Sequence, residues 1–330
     1  MTTTVGLVVN PAAGRDIRRL TGGASVSNNY AKRRTAGCVL EGLTLVDDVA
    51  VQVMPDATGL AERVVADAPD DLAVDQLDLT VTASGQDTRA AAERFATAAD
   101  VAVVLGGDGT NRDVAHGIGD VPVVSVSTGT NNVVPTTVDG TVAGVAAALV
   151  GSGTVSADDV TVRHGTVEAT VEGRGDDQRL RGLATVGILD RSFVGTRAIL
   201  DPSDVVGGVV SRAAPDEIGL SGVAGGLVTH RPDDPGGVGF RLGGDATRTV
   251  RAVTVPGTLA RVPVREHRVL DDGEAYAFDV ATGVVSADGE RDLEVRDAVV
   301  TLRPVADGPR LVRVADVFER AAESGSFGER

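Results

Sequence analysis

Along the first half of the chain the apolar positions follow two alternating periods. Short β-branched runs predict strands at Val5–Asn10, Val49–Val53, Leu77–Thr82, Val101–Leu105 and Val121–Val126. Between them, apolar residues recur at helical spacing and predict helices over Ala31–Leu43, Gly59–Asp67, Thr88–Ala98, Asn111–His116 and Thr141–Leu149. Strand and helix in alternation point to a parallel sheet with crossover helices. The run Val101–Leu105 is apolar throughout, with no polar alternation, as expected of a strand covered on both faces.

After Gly151-Ser152-Gly153 the helical period fades. Runs rich in Val, Thr and Arg at Thr161–Arg163, Thr166–Val171, Leu183–Leu189, Gly237–Leu242, Val250–Val255, Leu259–Val264, Ala275–Val280 and Val299–Leu302 predict an all-β second half, with Pro and Gly supplying its turns. One helical stretch, Val194–Val210, interrupts it. At the far end, Val312–Glu323 reads as a strand end and a helix that returns to the first half.

The strand Val101–Leu105 stops in Gly106-Gly107-Asp108-Gly109-Thr110-Asn111. Ligands of parallel sheets sit beyond the strands' carboxyl ends. Three glycines remove side chains from the turn, so backbone N–H groups can approach phosphate oxygens, and a helix starting here favours anions at its N-terminus. Asp108 is the only charge in that cradle. Beside phosphates a carboxylate has two uses: to hold Mg²⁺ or to take a proton from an attacking hydroxyl. Taken alone, the turn reads equally as a strand-to-helix connection with an aspartate cap. The turn after the first strand, Asn10-Pro11-Ala12-Ala13-Gly14-Arg15-Asp16, lies on the same carboxyl edge, where Asn10 can meet a ligand hydroxyl and Arg15, Arg18 and Arg19 can meet triphosphate charge. Ser127-Thr128-Gly129-Thr130-Asn131-Asn132 repeats the logic one strand along, and Asp139 before Gly140-Thr141 reads as a helix cap. Leu20–Lys32 turns to Thr, Gly, Ser and Asn and reads as a long adaptable loop over the sheet edge.

These motifs together resemble the ATP-NAD kinase/AcoX branch of the NAD kinase and diacylglycerol kinase superfamily. Gly106–Thr110 matches its glycine-aspartate signature. Asn10–Gly14, Ser127–Asn132, Phe193-Val194-Gly195-Thr196-Arg197-Ala198 and Ile218-Gly219-Leu220-Ser221 match the branch. The resemblance implies a two-domain fold, a Rossmann-like parallel sheet domain followed by a β-sandwich domain, with the active site between them. It divides the chain into residues 1–150, an α/β nucleotide-binding domain rejoined by a segment near 310–330, and residues 151–309, a β-rich substrate domain. It implies an ATP- and Mg²⁺-dependent kinase with Asp108 as catalytic base or metal ligand. Asn10, Gly106, Gly107, Gly109, Thr110, Asn111, Thr130, Asn131 and Asn132 are then nucleotide or phosphate contacts, with Arg15 and Arg197 as further candidates at the cleft. Ala287-Asp288-Gly289-Glu290 resembles the Asp-Gly-Glu turn of bacterial lipid kinases, which makes Asp288 and Glu290 candidates near the transferred phosphate; as sequence it is an ordinary hairpin turn. The leading acceptor is the ribose 2′-hydroxyl of NAD(H). The chain lacks the Asn-Glu pair and the Gly-Leu-Gly-Phe segment of true NAD kinases, so another small alcohol or a lipid stays open as acceptor, as does a regulatory protein that binds NAD or ATP without turnover.

Composition changes the picture in two ways. The 330 residues carry 47 acidic against 31 basic side chains, a net charge of −16, and Lys32 is the only lysine. That argues against nucleic-acid or anionic-membrane binding, which needs dense Lys/Arg patches, and suits a hydrated surface in a salty cytoplasm with salt-dependent folding. Cys38, the single cysteine, excludes an intrachain disulfide and reads as a small core residue of the helix Ala31–Leu43. The four histidines lack metal-ligand spacing, and no glycine loop is followed by the Gly-Lys-Ser/Thr of phosphate-loop ATPases. A chain with no signal-like start and no run of about 20 apolar residues is expected in the cytoplasm. There it would act on a small molecule as a homo-oligomer.

Overall fold

The computed structural model describes residues 2–13, 28–129, 132–173, 177–190 and 202–328, and the strands among them assort into two sheets. The chain separates into two compact units, the second formed within residues 163–308 and the first by the rest of the described chain.

The first unit holds β1 (Thr3–Val9), β2 (Val49–Val53), β3 (Ala73–Gln76), β4 (Val101–Gly106), β5 (Pro122–Ser127) and β16 (Arg310–Val312), in a sheet that β6 (Thr161–Arg163) completes. Its order is β3-β2-β1-β4-β5-β16-β6, with parallel pairing from β3 through to β16. The chain runs outward from β1 to β3 and then returns to β4 beside β1. That reversal opens a crevice at the carboxyl ends of β1 and β4, the place where open α/β sheets bind ligands.

Helices cover both faces, which is why β4 is wholly buried. On one face, α1 (Asn29–Leu43), α5 (Gly140–Gly151) and α8 (Val314–Glu323) set Leu40, Leu43, Ala146, Ala147 and Val317 against Val5, Leu7 and Val103. Each such Leu or Val contributes about 1.5–3 kcal/mol by leaving water. The α1–α5 crossing is backbone against backbone. A Cβ on Gly42 would lie 2.2 Å from the Thr141 carbonyl oxygen, and one on Gly144 2.1 Å from that of Val39. On the other face, α3 (Gly85–Ala98) lays the Phe95 ring over Gly6. Two further helices of this unit are α2 (Leu60–Ala66) and α4 (Asp108–Ala115), and α6 (Ala157–Val160) is a single turn.

The second unit holds β7 (Thr166–Glu172), β8 (Gln178–Gly182), β9 (Thr185–Leu189), β10 (Val205–Val210), β11 (Gly237–Leu242), β12 (Arg248–Val255), β13 (Thr258–Leu270), β14 (Tyr276–Ala287) and β15 (Glu290–Val305). They form one antiparallel sheet in the order β12-β13-β11-β10-β9-β14-β15-β7-β8. The sheet curls over, so that β7 packs on β9 and β10 around Val167, Val186, Ile188, Val209, Phe278 and Val300. The short α7 (Leu220–Gly225) covers a second core of Val210, Val223, Phe240, Val250 and Val262.

Four expectations are corrected. The third strand is Ala73–Gln76 and not Leu77–Thr82, because its partner among the described residues, β2, runs out at Met54-Pro55. The described part of the expected helix Val194–Val210 is a turn of 3₁₀-helix at Pro202–Asp204 and then β10, held between β9 and β11. The last three β-runs are much longer than their apolar cores, since charged, polar and small residues (Arg, Glu and His in β13, Asp, Ala and Thr in β14, Glu, Arg and Asp in β15) occupy the exposed positions of strands kept in register by their neighbours. Cys38 is half-buried against Gly140 and not a core residue. Among the described residues no helix is long and apolar enough to cross a membrane.

Candidate active site

β1 and β4 end side by side, and the two turns that follow them are tied together. Gly107 alone joins β4 to α4, in extended conformation, so Asp108 is the first residue of the helix and Gly107 its cap. Helix N-termini leave their first amides without intrahelical partners, an arrangement anions favour. Gly106 is required by packing: a Cβ there would lie 2.5 Å from Thr110 Cβ and 2.7 Å from its Oγ1. Thr110 therefore folds back over the strand end, where its Oγ1 accepts a hydrogen bond from Asn10 Nδ2 at 2.9 Å. Asn10 Oδ1 in turn accepts from the Ala12 amide at 2.8 Å, which closes the turn after β1.

Beneath that turn lies Lys32. Its side chain is 1% exposed, and its ammonium donates to the carbonyls of Asn10, Pro11 and Ala13 at 2.9, 3.0 and 2.6 Å. Helix α1 delivers it. Asn28 caps that helix by accepting from the Ala31 amide, so the helix starts two residues before the expected Ala31 and takes in the end of the expected loop.

The Asp108 carboxylate is fixed by the turn after β5. The Val133 amide donates to Oδ1 and Oδ2 at 3.0 and 2.9 Å, and the Val134 amide to Oδ1 at 2.9 Å. Asn132 Nδ2 donates to Ser127 Oγ at 2.6 Å and to the Gly129 carbonyl at 3.3 Å, while the Thr128 amide donates to the Gly106 carbonyl at 3.2 Å. Thr128 Oγ1 is buried with no hydrogen-bond partner among the described residues. Asn111 is buried and spans from α4 to β5: its Nδ2 donates to the Gly107 carbonyl at 2.9 Å and its Oδ1 accepts from Ser125 Oγ at 2.6 Å. Asn10, Gly106, Gly107, Asp108, Gly109, Thr110 and Asn132 thus share one edge of the first sheet. Thr130, Asn131, Arg15 and Arg197 lie outside the described residues.

In the second unit Asp288 and Gly289 form the two-residue tip of the β14–β15 hairpin, both with positive φ (48° and 82°), as a type I′ turn requires. The Asp288 carboxylate accepts from the amides of Leu183, Ala184 and Thr185 at 2.7, 2.8 and 3.0 Å. Glu290 is exposed, and its carbonyl accepts from Ser286 Oγ at 2.5 Å. Near the Ile218–Ser221 motif, Arg212 donates to Glu217 Oε1 at 2.5 Å. Burial pushes the Glu217 carboxyl up against the pull of that guanidinium. His164, wholly buried and repelled by Arg212, is held down at about 4.

Sequence reading missed Lys32, Ser125 and the paired amides of Val133 and Val134; Thr128 lies inside the Ser127–Asn132 turn that it did read. Only Lys32 carried a signal, a lone lysine on the helix face of Ala36, Val39, Leu40 and Leu43.

Residues 5–153 match the ATP-NAD kinase N-terminal domain, and residues 165–307 match the acetoin catabolism protein X C-terminal domain. Acetoin catabolism protein X of Cupriavidus necator is 33% identical over 303 residues, 88% of this chain and 84% of that protein. The chain belongs to the acetoin catabolism protein X family. Among solved structures, yeast NADH kinase complexed with NADH superposes with a TM-score of 0.54 at 13% identity, covering 100% of this chain and 89% of that one. The α/β unit with its antiparallel β unit is therefore the NAD kinase fold. A diacylglycerol kinase from Bacillus anthracis, described as putative, gives a TM-score of 0.35 at 12% identity over 94% of this chain and 97% of that one, too low to add to the comparison.

Proposed function

We propose that this family member is an ATP-dependent kinase that phosphorylates the ribose 2′-hydroxyl of NAD(H), giving NADP(H). The observation that carries the reading is Asp108: a carboxylate at the first residue of α4, fixed by two backbone amides, beside the β1–β4 crevice. The NAD kinase-type N-terminal domain and the NADH held by the yeast enzyme of the same fold support NAD(H) as acceptor.

In this reading the donor's phosphates lie against the α4 N-terminus and the glycine turn, where backbone N–H groups and the positive end of the helix dipole favour negative charge. Asp108 orients the acceptor hydroxyl and takes its proton as the oxygen attacks the γ-phosphorus. The bond from that phosphorus to the β–γ bridging oxygen breaks, and ADP leaves with the electron pair. Thr110 and Asn10, joined to each other, hold the two turns in register, and Asn132 shapes the third side.

Among the described residues no three His, Cys, Asp or Glu side chains converge as a metal cage. Mg²⁺ in kinases is bound through one or two carboxylates together with substrate phosphates and water, so Asp108, in the alternative to its role as base, would hold an ion that arrives on the nucleotide. When bound it would neutralise charge developing on the transferred group.

A second reading has its own support. The acetoin catabolism protein X C-terminal domain in place of a NAD kinase one favours a different alcohol, small or lipid, as acceptor at the same Asp108. The experiment is ADP release from MgATP by the purified protein, with NAD, NADH, short polyols, keto-alcohols and diacylglycerol offered in turn. Release stimulated by NAD or NADH alone supports the first reading, and release stimulated only by another alcohol supports the second. Nucleotide binding without ADP release under any acceptor contradicts both and leaves a non-catalytic sensor.

A further inference from the structure

Lys32 differs from the other cationic side chains in three respects. It is the only lysine among 31 Lys and Arg residues. It is buried to 1% exposure, a position a lysine takes only when its ammonium is well paired. And its ammonium gathers three carbonyls of one four-residue turn, Asn10, Pro11 and Ala13, from a position 19 to 22 residues further along the chain.

A turn whose carbonyls faced the crevice would present negative dipole ends to incoming phosphate. Here the carbonyls of Asn10, Pro11 and Ala13 converge on a cation, and the Asn10 side chain is left to bridge Ala12 and Thr110. An arginine would carry the same charge, but its planar fork is built for paired oxygens in a plane and not for three that converge on a point. That difference accounts for a lysine at this position in a chain that otherwise uses arginine for its cationic side chains.

We propose that Lys32 is the positioning residue of the nucleotide site: by drawing the Asn10–Ala13 carbonyls onto its ammonium it orients Asn10 toward Thr110 and clears the crevice of carbonyl charge for a nucleoside triphosphate. The inference rests on the kinase reading of that crevice. It assigns Lys32 a role in substrate affinity through Asn10, with no contact to the reacting atoms.

The test is MgATP binding by calorimetry in molar KCl, which needs no turnover, on the wild type, Lys32→Met, Lys32→Arg and Leu40→Ala. Leu40 lies on the same helix face, so its truncation lowers stability without touching the turn. Loss of charge-assisted hydrogen bonds to the turn is expected to raise the MgATP Kd of Lys32→Met about tenfold or more, with Lys32→Arg between it and the wild type. Leu40→Ala is expected to lose thermal stability and keep its Kd. Should Lys32→Met not fold, Lys32→Arg is read in its place: a Kd about threefold or more above wild type supports the role, and an unchanged Kd overturns it. Equal affinity in wild type and Lys32→Met, or an equal loss in Leu40→Ala, overturns the inference while the kinase reading stands. A wild type that does not bind MgATP overturns the kinase reading and this role together.

Discussion

Asn10 Nδ2 donates to Thr110 Oγ1 at 2.9 Å, joining two turns 100 residues apart in the chain. Parallel strands β1 and β4 bring their ends together, and this one bond fixes how the loops beyond them face each other. Thr110 is buried, so removing its hydroxyl strands a donor on Asn10. Thr110→Val keeps the shape and loses the acceptor. It is expected to cost about 1 kcal/mol of unfolding free energy, measured by urea titration, and to raise the MgATP Kd, while Thr110→Ser stays near wild type. A loss in Thr110→Ser with Thr110→Val near wild type would mean that the methyl group and not the hydroxyl matters.

Much of this edge was legible in the sequence. Val101–Leu105 announced a strand buried on both faces, and the glycine turn after it stands where the topology opens its crevice. Asp288-Gly289 read as a hairpin turn and is one, though the amides that its carboxylate holds lie 103 to 105 residues earlier and carry no side-chain signature. The clamp on Asp108 was hidden for the same reason: Val133 and Val134 act through backbone N–H groups, which every non-proline residue has.

Where the reading failed, local pattern was outweighed by partners. Leu77–Thr82 alternates like a strand but runs past the end of β2, the strand that pairs with Ala73–Gln76. Val205–Val210 is a short apolar run that periodicity cannot assign, and pairing with β9 and β11 decides it. Gly42 and Gly144 gave no hint that two helices touch there backbone to backbone.

Gly106 tests whether the Thr110 position matters to the site. The Cβ of Gly106→Ala would sit 2.5 Å from Thr110 Cβ, with a strand on one side and a helix start on the other, so Thr110 must shift and the bond from Asn10 must lengthen. A loss of about 1–3 kcal/mol is expected, together with weakened MgATP binding. Wild-type stability and affinity in the alanine variant would contradict the packing argument.

His164 gives the chain an acid-sensitive component. Buried, and repelled by Arg212, it titrates at about 4 when folded against 6.5 as a free side chain. Between those values the unfolded chain binds a proton that the native chain refuses, so native stability falls as pH drops from 6.5 toward 4 and this component levels off below. At full effect the shift corresponds to about 3 kcal/mol. Glu217, raised by burial, works in the opposite direction, losing stability as pH rises through its elevated value. Comparing wild type with His164→Gln cancels that background. The stability difference between the two is expected to move in favour of the glutamine variant by about 3 kcal/mol from pH 7 to pH 4, measured by denaturant titration. A difference independent of pH would contradict the assignment.

The central claim is that Asp108 serves phosphoryl transfer to NAD(H). The direct measurement is NADP(H) formation by purified protein in molar KCl with Mg²⁺, ATP and NAD or NADH, coupled to an NADP-specific dehydrogenase, for the wild type and Asp108→Asn. Asparagine keeps an oxygen for the Val133 and Val134 amides, so the variant should stay folded by circular dichroism, while the loss of a base is expected to lower turnover by about 10²–10⁴-fold. Product from the wild type that vanishes in the folded variant is the expected result. Wild-type turnover in Asp108→Asn, or no NADP(H) from folded wild-type protein, would contradict it.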